Sequence, residues 1–203
     1  MKRLILIGLT LAATFGTAGA KTEVSGELKR NTTWTAKGSP YVVVDDVVIP
    51  EGMTLKIEPG VVVKFHDLND DLIVEGTLVA KGTSSSPIYF TSYKDDSVGG
   101  DTDGEAVTPE PDDWGGIVFR KSSSSSVLEH VVVRYGGYYW SNAGDAGIRC
   151  VGASPQISEC VISHIGGDGI YCESGGCPEL VGCRFEGNAK GVNSDVSSHP
   201  VVK

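Results

Sequence analysis

The sequence predicts an all-β chain whose short strands coil into a solenoid with turns of about 22 residues. Three observations carry this expectation. Gly147-Ile148, Gly169-Ile170 and Gly191-Val192 recur at a spacing of 22, after an earlier copy at Gly116-Ile117. Pro155, Pro178 and Pro200 follow at spacings of 23 and 22, and Leu128, Ile157, Leu180 and Val202 at 29, 23 and 22. Two independent series with one period define a repeat. The 27 glycines and the many valines favour strands joined by tight turns over helices.

The elements follow in chain order. Residues 1–20 read as a signal peptide: Lys2 and Arg3, the apolar run LILIGLTLAATFG, then Ala18-Gly19-Ala20 as a small-x-small site with cleavage after Ala20. The run is too short for a membrane span. The chain is therefore expected to be secreted, periplasmic or at the cell surface. Loss of Lys2 and Arg3 takes the formal charge from −9 to −11. Such an acidic chain repels phosphates, which argues against a nucleic-acid partner. Residues 21–40 are expected to form an N-terminal cap or leader, and residues 41–203 the solenoid.

Each repeat holds three short runs: a Gly-Ile strand, a Pro-x-Ile strand, and a third such as CVIS (160–163) or CRFE (183–186). Strands this short bury a core only when coil stacks on coil. The N-terminal half supplies the same runs as VVI (47–49), TLKI (54–57), VVVKF (61–65), LIV (72–74), TLVA (77–80) and IYFT (88–91). The pattern P-x-I-x-x-C-x-I followed by a glycine-isoleucine strand resembles the repeats of right-handed parallel β-helices, as in the pectate-lyase-like superfamily. The stretches PEGMTLKIEPGVVVKF, EGTLVAKGT and DDWGGIVF resemble those of exported bacterial β-helix proteins. The resemblance covers roughly residues 41–203 and implies a single-stranded, three-sheet, right-handed parallel β-helix. It implies little about function, because this architecture hosts lyases, hydrolases, adhesins and inert scaffolds.

Strand alternation points Ile148 and Cys150 inward and Arg149 outward, and one coil later Ile170 and Cys172 inward and Tyr171 outward. Cys172 is thus expected to stack on Cys150, and Cys183 on Cys160. Either these four are small core hydrophobes, or one of the pairs is bridged, since strand spacing lies within disulfide range and export permits oxidation. Cys177, at a turn before Pro178, either bridges to Cys172 or stays free. Zinc is disfavoured, because inward cysteines on different sheets do not converge on one shell.

Function in a solenoid concentrates in insertions. Three stand out: HDLNDD (66–71), residues 92–113, and YGGYYWSNAGDA (135–146). All fall after the third strand and before the Gly-Ile strand, so they are expected to stack as long loops on one flank. In the long insert, Asp101, Asp103 and Glu105, with Asp96, resemble the start of a calcium loop; the alternative is a solvated acidic loop. In the third, Tyr138, Tyr139 and Trp140 either stack on sugar rings or fold back onto the flank. Val118, Arg149, Tyr171 and Asn193 are expected outward beside them, on the face that carries the cleft in polysaccharide-degrading relatives.

The candidates for catalysis are Arg149, as a lyase base, and the carboxylates Asp112 and Asp113. None sits in a recognisable catalytic motif, and adjacent carboxylates do not supply the separation that glycoside hydrolysis needs. The leading expectation is an exported, non-catalytic module for surface display, adhesion or glycan binding, with a polysaccharide or cell-surface glycan as partner. The alternatives are a polysaccharide lyase or hydrolase, or a piece of one, and a purely structural scaffold. The chain closes on the opening of another coil, so truncation of a longer parent is expected, with end-to-end stacking at the open coil as the other outcome.

Overall fold

A computed structural model describes residues 21–203; the expected signal peptide lies outside them. Among the described residues the chain winds through nineteen short strands, each pairing parallel with its neighbours. The first turns are β1 (Thr22–Glu27), β2 (Thr32–Trp34), β3 (Tyr41–Ile49) and β4 (Thr54–Ile57), followed by β5 (Val62–Phe65), β6 (Leu72–Val74) and β7 (Thr77–Lys81). Next come β8 (Ile88–Ser92), β9 (Ile117–Phe119), β10 (Val127–Glu129), β11 (Val131–Arg134) and β12 (Ala146–Val151). The last coils hold β13 (Gln156–Ser158), β14 (Val161–Ser163), β15 (Asp168–Glu173), β16 (Glu179–Val181), β17 (Arg184–Glu186), β18 (Lys190–Ser194) and β19 (Val201–Val202).

Three faces result. One is β2-β4-β7-β10-β13-β16-β19; a second is β5-β8-β11-β14-β17; the third is β6-β9-β12-β15-β18. The second and third are joined into one twelve-stranded sheet by β3, whose Tyr41–Val43 pairs with β5 and whose Val47–Ile49 pairs with β6. In VVVDDVVI no insert separates the two runs, so one strand turns the corner that later coils make with a loop. Residues 21–40 carry β1 and β2, which pair with β3 and β4 as the first coil of the stack.

Inward side chains form continuous ladders. On the first face Trp34, Ile57, Ala80, Leu128, Ile157, Leu180 and Val202 are successive register partners. On the third, Ile49, Val74, Phe119, Cys150, Cys172 and Ser194 follow one another. From Ile49 to Cys172 these residues are fully buried; burying an aliphatic or aromatic one contributes roughly 1.5–3 kcal/mol. All five cysteines are free thiols. Cys150 and Cys172 are rungs of one ladder. Cys160 and Cys183 precede the Val161–Arg184 pair on the second face, with the Cys183 thiol directed to the Ile157 carbonyl at 3.5 Å.

The Gly-Ile glycines keep the coils close. A Cβ on Gly116 would lie 2.6 Å from both the Ala143 Cβ and the Ala146 carbonyl oxygen. Only glycine lets the third insert lie against β9. Among the described residues no helix is long and apolar enough to cross a membrane.

Candidate functional site

The three inserts do stack on one flank, and buried side chains tie them together. Trp114, fully buried at the end of the long insert, stacks on Phe65 with ring centroids 3.9 Å apart and donates its indole N–H to the Arg134 carbonyl at 2.9 Å. Asp71, also fully buried, accepts the Gly116 amide at 2.8 Å on Oδ1 and the Asn142 amide at 2.7 Å on Oδ2. Asp46 accepts the Asp71 amide at 2.8 Å and the Asn142 side-chain amide at 3.3 Å. Burial pushes the Asp71 carboxyl up to about 6; the Asn142 and Gly116 donors oppose that rise and the Asp46 charge adds to it.

The acidic insert is held by cations from β5 and β11 and by its own Lys94. Lys64 points outward from β5 yet is fully buried, and its ammonium donates to the Gly100 carbonyl at 2.6 Å and the Thr102 hydroxyl at 3.0 Å. Burial lowers its pKa, while Asp96, Asp95, Asp103 and Asp101 pull it back up. Arg134 pairs with Asp95, and Lys94 with Asp113, both at 2.5 Å. Burial raises Asp95, but hydrogen bonds from Ser97 and Thr91 and the Arg134 charge outweigh it and leave the carboxyl below its ordinary value.

Of the residues expected to ligate calcium, Asp96, Asp101 and Asp103 bring carboxylate oxygens within 4.8 Å of one another. Glu105 is not in this group; Asp103 turns back to accept its amide at 2.9 Å. Three carboxylates on a loop that already faces the Lys64 ammonium are a thin shell for a cation that takes six to eight oxygens.

The third insert forms an open groove of about 470 Å³ against the third face, lined by Tyr139, Trp140, Ser141, Gly144, Asp145, Arg149, Tyr171 and Glu173. Tyr139 and Trp140 meet edge to face with centroids 4.9 Å apart and remain 62% and 77% exposed. Arg149 donates Nε and Nη2 to the two Glu173 carboxylate oxygens at 3.1 and 3.0 Å, and its guanidinium lies 5.7 Å from the Tyr171 ring centroid. Four residues singled out in the sequence, Tyr139, Trp140, Arg149 and Tyr171, therefore meet in one place.

Others do not. Tyr138 does not line the groove; it is half-buried, its amide donating to the Trp114 carbonyl. Val118 is outward by register yet fully buried, so the groove begins one coil later, at Arg149. Asp113 is buried and accepts from Ser92, Lys94 and the Glu110 amide, which leaves it no free role. Asp112 is exposed at a left-handed φ of 69°, its carboxyl raised by burial and by the Asp145 charge. Glu173 was missed in the sequence, although alternation from Tyr171 places it outward.

A family model described as "right handed beta helix region" matches residues 73–203. The chain belongs to the right-handed β-helix family. The match begins at β6, so the first turns of this β-helix, from β1 to β5, precede the matched region. A relative, "Protein bark beetle" from Drosophila melanogaster, is 33% identical over 69 residues, 34% of this chain and 2% of that protein. The matched stretch is a small fraction of that relative's length. No solved structure matches the chain.

Proposed function

We propose that the chain is an exported, non-catalytic β-helix module that binds glycan in the Tyr139–Trp140 groove, for adhesion or display at the cell surface. The observation that carries this is the exposure of two adjacent aromatic rings beside a fixed Arg149–Glu173 pair. Exposed large aromatics are costly to leave in water, and sugar rings offer a C–H face to cover them. Export rests on the Lys2 to Ala20 pattern. The candidate catalytic groups support binding over turnover: Arg149 is engaged by Glu173 and is a poor base, and Asp113 is locked by Ser92 and Lys94.

Binding to a glycan array should fall at least tenfold in Trp140→Ala, with no change in the length of any bound polymer on long incubation. Equal binding by the variant would refute the groove. Release of new reducing or unsaturated ends, lost in Arg149→Ala, would establish a lyase or hydrolase instead.

A further inference from the structure

The charges lining the groove narrow what it can hold. Among the described residues, Arg149 is the one cation in the lining, facing two anions, Asp145 and Glu173. The guanidinium has two nitrogens engaged by Glu173 at 3.1 and 3.0 Å. Its third, Nη1, lies 2.6 Å from where a Cβ on Gly144 would stand, so the loop closes against that side. The fork that would receive a sugar carboxylate or sulfate is therefore already filled by a carboxylate of the chain itself. Asp145 is exposed in the same lining, and the whole chain carries a formal charge of −9.

We infer that the groove takes uncharged hexose units and excludes uronates and sulfated sugars. This rests on the glycan reading above and adds the ligand class. An uncharged pyranose meets each part of the lining: its C–H face covers the Trp140 ring, and its hydroxyls donate to the remaining lone pairs of Glu173 and Asp145. An anionic unit meets the same ring but places its charge beside two carboxylates, with no unpaired cation among the described residues of the lining.

Affinity electrophoresis separates the possibilities, with a panel of neutral polymers (glucan, galactan, mannan) and with polygalacturonate and alginate as anionic probes. At least one neutral polymer should retard the wild-type protein, with the retardation lost in Trp140→Ala, and neither anionic probe should retard it. In Glu173→Gln, which frees the Arg149 fork, affinity for polygalacturonate should rise tenfold or more. Trp140-dependent retardation of the wild type by polygalacturonate or alginate would overturn the exclusion and leave the glycan reading standing. Retardation by none of the polymers would overturn both.

Discussion

Asp71 couples the stability of the flank to pH. Its folded-state pKa of about 6 stands above the unfolded 3.8, so the folded protein holds this proton more tightly than the unfolded chain does. The contribution is fully present below the unfolded value and is lost as pH rises through about 6, roughly 3 kcal/mol at about 1.4 kcal/mol per pKa unit. In urea titrations the stability of wild type relative to Asp71→Asn should fall by up to that amount between pH 4 and pH 7. A difference that stays flat across the range would place the carboxylate in water. The cysteines give a second residue-level outcome. Cys183 is half-buried, and a hydrogen bond with Cys160 favours its thiolate and lowers it to about 7, while the same contact and burial push Cys160 up. Alkylation of the native protein near pH 7, read by peptide mass, should reach Cys183 first and Cys177 next, and spare Cys150, Cys160 and Cys172. Ladder partners were legible because alternation and a 22-residue period fix which cysteine follows which. Glu173 was within reach of the same reasoning, two residues after outward Tyr171. The Asp71–Asn142 contact was not, because it depends on how deeply two loops 71 residues apart overlap.

Among the elements, the long insert behaves as a folded flap and less as a solvated acidic loop. Lys64, from β5, reaches beneath it to the Gly100 carbonyl and the Thr102 hydroxyl, while Arg134, from β11, holds Asp95. Lys64→Met removes the donor for a backbone carbonyl and a hydroxyl and leaves the aspartates of the loop unbalanced, a loss of about 1–3 kcal/mol for each group left unsatisfied. The far-ultraviolet spectrum should keep its β signature while limited proteolysis begins to cut within residues 93–113. Cleavage no faster than in wild type would show that the flap is held elsewhere. The insert's position in the coil was legible from the break in the repeat; its anchoring was not, since a lysine in VVVKF reads as a solvent-facing strand residue. The corner in β3 was hidden for a related reason. VVVDDVVI alternates poorly, and only the pairings to β5 and β6 show that Val44, Asp45 and Asp46 make the turn.

For the molecule as a whole, the repeat in the sequence foretold the stack of coils, because each coil can bury its short strands only against the next. It did not foretell the three faces merging into two sheets, which the single strand β3 decides. The tie between Asn142 and Asp71 has a mechanical meaning. Both β6 and β12 pair with β9, so the tie skips over a whole winding and clasps three together. Pulled from its C-terminal end, the chain should pay out one winding at a time, about 22 residues or roughly 75 Å of extended polypeptide per rupture. When the clasp is reached, several windings should leave in one longer step. Single-molecule traces of Asp71→Ala should lose that long step and peel evenly to the end, as a spring does once its catch is filed away.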